Sequence, residues 1–485
     1  MKGQASGVEG SGRAAPGPLS SRWPGGWEEP TATRPVGVRQ KAGLAARTRR
    51  AMLAGGVATG SMLALACSGS GTGGTPRVPS GQVQISFLTD WASGPRGQVI
   101  QEAAKLWQQQ YPSITLNLRI AADGSSGPVQ VQMAADLAAG TTADVALYSS
   151  KAVAAQRVAF LDIMPYVKRD KVNLKEFLTV EPELQYQGGL YGLPFQYVMS
   201  IWLVNKDVLR QNGIKLPDDR WTWDDLLAAS RRLTMPGQMW GIEDNRGLDD
   251  WLDGWLPSNG GAYISDDHKR TLLSTPPAIE AVRWIADRYA RDKVVIQAAD
   301  RAALGISGAA FPNAKVGFAH YNSSIIGAAA TTTGFDQIDW DVMWTPKAPR
   351  TGKGLAHVGD QPHVMPKRPG QTPAQTDAAW LFLTFMSGPE VQALIAEGRG
   401  SLPVYKKIIR GDRYLRSPPA SMAIIARLAD NPVFSVGWFP GYDQWWAVVR
   451  PLLLSAMRGE IGVDDALRQA TTQGDAILQQ SGAGR

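Results

Sequence analysis

The stretch Gly188–Asp207, G-G-L-Y-G-L-P-F-Q-Y-V-M-S-I-W-L-V-N-K-D, constrains the fold more than any other part of this chain. Paired glycines, then Gly192 and Pro194, end whatever element precedes them, because glycine frees the backbone at a turn and proline fixes it. The run Val198–Val204 is apolar, rich in β-branched and aromatic residues, and short enough to be a buried strand. Asn205-Lys206-Asp207 then opens a helix whose first apolar residues are Val208 and Leu209. A strand that leaves a Gly/Pro corner and runs directly into a new helix is the pattern of a chain passing from one lobe into another.

With 485 residues the chain is too long for one ordinary domain and fits two lobes. Its formal charge of +7 invites a nucleic-acid partner. However, residues 1–66 hold nine Lys/Arg against three acids, which leaves the remainder close to neutral and removes the main support for a nucleic-acid face. Arg49-Arg50 followed by the short apolar, small-residue stretch Ala54–Ala66 reads as an export signal over 48–67, too short for a membrane span. The twin arginine resembles a Tat signal, with ordinary secretion as the alternative route. Cys67, the single cysteine, closes the segment as L-A-L-A-C and resembles a lipobox, although Ala64 stands where leucine is preferred. Lipidation there would anchor the chain to a membrane; the competing reading is an ordinary buried thiol. One cysteine rules out an internal disulfide. Residues 1–47 read as disordered or as an over-extended start, and 68–81 as a tether.

The folded part begins at Gln82. Val83, Ile85 and Phe87 alternate with Gln84 and Ser86 at the period of a strand, which ends in the loop Thr89–Gly94. Gly97–Tyr111 reads as a helix, Ile114–Ile120 as a second alternating strand, and Ala143–Tyr148 as a third. This order predicts a parallel sheet with helices on its faces, whose ligands sit beyond the carboxyl ends of the strands. Trp91, Tyr148 and Ser149 fall there. Farther on, Thr222 caps a helix running to Leu233, Pro276–Tyr289 forms another, and Ser387-Gly388-Pro389-Glu390 has capping-box spacing.

The ordered series Tyr191–Pro194, the strand ending in Asn205-Lys206-Asp207, Gly213-Ile214, Pro217 and Trp221–Leu226 resembles the extracellular solute-binding proteins of ABC importers. Among these it is most similar to those that bind sugars and oligosaccharides. Gly400–Val404 resembles the family's short G-x-x-P-V turn, and the resemblance spans roughly residues 82–475. It implies an α/β, type II periplasmic-binding-protein fold, with two α/β lobes joined by three hinge crossings. The N-lobe is expected at 82–193 and 320–362, and the C-lobe at 197–316 and 366–480. The second and third crossings are expected at Lys315–Asn322 and near Pro362–Pro366.

Tryptophan is unusually frequent, with 17 against 11 Phe and 12 Tyr, and an indole can cover the C–H face of a sugar ring. Trp251 and Trp255, four apart and therefore on one helical face, precede Asn259-Gly260-Gly261. In the family that helix and turn overhang the cleft; the competing reading packs both rings into a core. Trp91 and the loop residue Trp438 are further platform candidates. Asn322 stands where many family members place a Gly-Pro-Trp motif and is expected to hydrogen-bond ligand instead. Asp360 lies where the family often has paired glycines and is a candidate acceptor. Asp144 reads as a turn or cap partner.

Asp249, Asp250 and Asp253 lie close together, but glycoside cleavage needs two carboxylates on opposite sides of the scissile bond, usually from separate elements. The four histidines, His268, His320, His357 and His363, show no metal-ligand spacing, and no nucleotide-binding or nucleophile motif is present. The expectation is a lipid-anchored, monomeric, extracytoplasmic binding component without metal or cofactor. It would deliver a carbohydrate to an ABC permease from the outer face of the cytoplasmic membrane. The alternatives are a receptor for another solute, glycerol phosphate or a polyamine, or a secreted polysaccharide-acting enzyme. An anionic solute would point to Arg119, Arg246 and Arg399.

Overall fold

The computed structural model describes residues 78–121, 126–330, 332–398, 400–416, 419–433 and 437–482. The expected signal segment, Cys67 and most of the tether lie outside the described residues. Val83–Thr89 pairs in parallel with Ile114–Ile120 on one side and with Val145–Leu147 on the other. The alternation foreseen for the first strand is real: Val83, Ile85 and Phe87 are buried and Gln84 is exposed. Helices Gly94–Gln110 and Ser126–Ala139 make the connections, as parallel strands require.

The crossing strand is longer than its apolar run, Leu193–Asn205, and is buried along almost its whole length. Its first half pairs antiparallel with Val358–Val364, which in turn pairs with Val145–Leu147 and so completes the first sheet. Its second half pairs with Val316–Asn322 and with Trp340–Met343, while Trp240–Asp244 lies parallel to the former. One strand therefore belongs to two sheets. Asn205 ends it and caps the next helix, Lys206–Gln211, by accepting from the Val208 N–H at 3.1 Å.

Two apolar cores follow. The first centres on Phe87, Trp107 and Phe382 and extends past the crossing onto one face of the second sheet, where Phe311, Tyr321 and Phe335 pack. The second gathers Trp202, Trp223, Trp251, Trp255 and Trp445 with Leu453 and Leu467. Among the described residues no single helix is long and apolar enough to cross a membrane.

The lobe boundaries differ from those expected. Val316–Asn322 is a full strand of the second sheet, not a return to the first, because its residues pair one by one with Ser200–Val204. Val316–Asn322 and Trp340–Met343 accordingly belong to the second sheet. Helices Pro373–Met386 and Pro389–Gly398 pack on the first core; Phe382 meets Phe87 at 5.2 Å, and the Gln392 side chain donates to the Phe195 carbonyl at 2.8 Å. Of the 366–480 segment, Phe439 and the helices Tyr442–Met457 and Val463–Ser481 join the second core. The returning passes are thus at 344–357 and, among the described residues, at 430–433 and 437–441. The first lies against the crossing strand, where the Ser200 N–H donates to the His357 carbonyl at 2.8 Å, and the second lies beside the first, where the Val358 N–H donates to the Val433 carbonyl at 2.7 Å. Thr222 makes its cap as a full capping box with Asp225. The box expected at Ser387 does not form; its hydroxyl has no partner, and Glu390 bonds Gln110 instead.

Candidate functional site

Helix Leu248–Ser258 decides the site. Trp251 and Trp255 share a face, as their spacing requires, but that face is turned inward. Trp255 stacks on Trp223 with centroids 5.2 Å apart and planes 9° apart, and Trp202 meets Trp251 and Trp255 at 5.3 and 5.4 Å. Both are 1% exposed or less and belong to the second core, which corrects the expectation that they form sugar platforms. The reason is thermodynamic: an indole buries more apolar area against four other rings than against solvent.

The opposite face of the same helix carries Asp250 and Asp253, which meet residues of both lobes. His357, in the returning pass beside Ser200, places Nδ1 3.4 Å from Asp250 and Nε2 3.7 Å from Asp253. Arg246 pairs with Asp250 one turn away. From the first lobe, Lys151 on helix Ser150–Ala155 donates to the Tyr442 hydroxyl at 3.0 Å and lies over its ring. Tyr442 starts the helix packed in the second core, so this bond spans the two lobes. Glu183, on the 3-10 turn Pro182–Leu184 of the first lobe, is 9% exposed. A Cβ placed on Gly437, which leads into the Tyr442 helix, would lie 3.5 Å from its Oε1.

Burial raises the carboxyl pKa of both Glu183 and Asp253, against the partial opposition of Lys151 and, for Asp253, of His357. Burial also opposes the charges of His357 and Lys151. Asp250 and Asp253 outweigh it for the imidazole, and Tyr442 and Asp253 for the ammonium, so both are raised. Asp250 is buried too, yet contact with His357 and Arg246 holds it below the usual carboxylate range. Asp250, Asp253 and His357 present ligand atoms within 4.8 Å of one another. With Arg246 and Lys151 close by, these carboxylates already have cationic partners, which makes the cluster an ion network more than a metal cage.

The other expected residues divide. Trp91 is 2% exposed, packs on Phe195 at 5.0 Å and is covered by Arg96, so it seals the lobe edge and offers no open face. Tyr148 is buried, with its hydroxyl donating to Gln156 at 3.1 Å. Ser149 is half-buried and immediately precedes the helix that carries Lys151. Asn322 accepts from the Ser324 N–H at 3.0 Å and from its hydroxyl, which ties it to a turn. Trp438 is half-buried beside Gly437. The Asp360 side chain lies outside the described residues; its backbone pairs with Tyr197. Asp144 is structural, accepting from the Ser86 N–H and hydroxyl and pairing with Arg368. Lys151, Glu183, His357 and Tyr442 were missed because none belongs to a motif and each is remote in sequence from the others.

The family model for bacterial extracellular solute-binding proteins matches residues 91–393. A binding protein of Brucella abortus (strain 2308) is 24% identical over 434 residues, covering 87% of this chain and 97% of its own length. Among solved structures, an ABC substrate-binding protein from Listeria monocytogenes in complex with cycloalternan superposes with a TM-score of 0.68 at 19% identity. It covers 83% of this chain and 99% of its own. UgpB from Mycobacterium tuberculosis in complex with glycerophosphocholine gives 0.69 at 15% identity, over 82% and 98%.

Proposed function

The chain belongs to the bacterial extracellular solute-binding protein family, and on that premise we propose that it is a receptor for a neutral sugar or oligosaccharide, held between its two lobes. The observation that carries this reading is the convergence of polar groups from both lobes on one seam: Lys151 and Glu183 from the first and Asp253 from the second, with Tyr442 holding Lys151 across it. A solute bonded to both halves stabilises the closed arrangement over the open one, and hinge rotation turns binding into a change of shape that a permease can read. Ser149 and Trp438 remain candidate contacts at the rim. Cys67 remains the proposed lipid anchor.

An anionic solute finds less support. Arg119 is engaged by Asp136 and the Thr141 carbonyl, and Arg246 by Asp250. Two of the three arginines singled out for that role are therefore committed within the fold, and Arg399 lies outside the described residues. Relatives of the same fold differ in what they hold, cycloalternan in one and glycerophosphocholine in another, so the fold alone does not choose. Calorimetry of the purified protein against neutral mono- and oligosaccharides, glycerol 3-phosphate and spermidine makes the choice. Saturable binding of a neutral sugar is expected, and binding confined to the anion or the polyamine overturns the assignment.

A further inference from the structure

Glu183 carries one oxygen that the fold leaves unused. Its side chain is nine-tenths buried, and Oε2 has no hydrogen-bond partner. Lys151 is close enough to act on it electrostatically, yet spends its described hydrogen bond on Tyr442, and no ion pair joins Lys151 to Glu183 among the described residues. Buried acceptors are normally satisfied, so an unfilled one facing a seam calls for a donor from elsewhere. Gly437, in the segment that leads into the Tyr442 helix, lies beside the same side chain: a Cβ there would sit 3.5 Å from Oε1. Across the seam stands Asp253, a second buried carboxylate, with Lys151 within electrostatic reach of both acids.

We propose that Glu183, with Lys151 and Asp253, forms a cross-lobe subsite in which Oε2 accepts a hydroxyl proton of a neutral polyol and the two carboxylates exclude anions. The arrangement is acceptor, donor, acceptor. A hydroxyl is the group that satisfies it, because one O–H donates to Glu183 while its lone pairs accept from the Lys151 ammonium. A carboxylate has no proton to give at neutral pH, and a carboxylate or a phosphate would bring like charge within the same buried space. A protonated amine would have to compete with Lys151, the cation already resident there. This inference rests on the sugar-receptor reading and specifies which residues make it selective.

Calorimetry on the full chain and on the Glu183→Ala and Glu183→Gln variants tests it, with maltose, maltotriose, trehalose and glucose as neutral probes and glycerol 3-phosphate as the anion. Loss of a hydrogen bond to a charged acceptor lowers affinity for the best neutral probe by about 10- to 100-fold in the alanine variant. The glutamine variant, which keeps an acceptor of the same shape, retains more of that affinity but loses discrimination against the anion. Thermal melts followed by circular dichroism establish that both variants fold, and the glutamine variant carries the test if the alanine one does not. If the wild type binds a neutral sugar and both variants bind it equally well, the subsite is wrong while the receptor reading stands. If the wild type takes glycerol 3-phosphate and no sugar, both fall together.

Discussion

Trp255 lies flat on Trp223 within a group of five indoles, and its Nε1–H has no acceptor. Such a ring contributes packing and leaves nothing for a ligand. Trp255→Ala is therefore expected to cost about 3–5 kcal/mol of folding stability, the range for deleting a buried aromatic side chain. Urea unfolding is the measurement; unchanged stability together with lost sugar binding would restore the platform role. This residue also marks how far the sequence could be read. The four-residue spacing places Trp251 and Trp255 on one helical face, and so they are, but spacing does not say which face turns inward. Asp250 and Asp253, interleaved with them, face the seam because the indoles claim the core. Only the positions of Trp202, Trp223 and Trp284, set by three other elements, decide between the two orientations.

At the scale of elements, the strands of the first sheet and the cap at Asn205 were legible because alternation and capping are local properties. The crossing strand was legible too, since it carries its own Gly/Pro corner. The second and third crossings were not: a strand buried on both faces, such as Val316–Asn322, reads the same whether it leaves a lobe or fills one, and its pairing partner lies over a hundred residues upstream. The true second pass ends in His357, and this residue ties the hinge to the Asp250–Asp253 helix. Its folded pKa is raised above the ordinary value near 6.5. The contribution of the charged imidazole is thus fully present below about pH 6.5 and is lost as pH rises through the higher folded value. His357→Gln is expected to cost about 1–3 kcal/mol at pH 6 and progressively less toward pH 9. Denaturant midpoints of the two proteins across that range check it, and a difference that grows with pH would exclude the charged contact.

For the whole molecule the question is what holds two halves together once a solute sits between them. The Lys151–Tyr442 bond is one contact that exists only when the lobes meet, because its donor rides on the first sheet and its acceptor on a helix of the second core. Any such contact raises the closed population before a solute arrives, and observed affinity scales with that population when binding requires closure. Tyr442→Phe keeps the ring that lies beneath the ammonium and removes only the oxygen, so folding should be little disturbed. One hydrogen bond is worth about 0.5–1.5 kcal/mol net, a change of roughly 2- to 13-fold in the closed-to-open ratio. If the closed form is a minor species without solute, affinity for the sugar should fall by that same factor, and solution scattering of the saturated variant should still give the compact form of the wild type. A variant that binds as tightly as the wild type would mean that the closed form already dominates, in which case scattering of the wild type should show no contraction on adding sugar. The two measurements together separate a receptor that closes on its solute from one that waits closed.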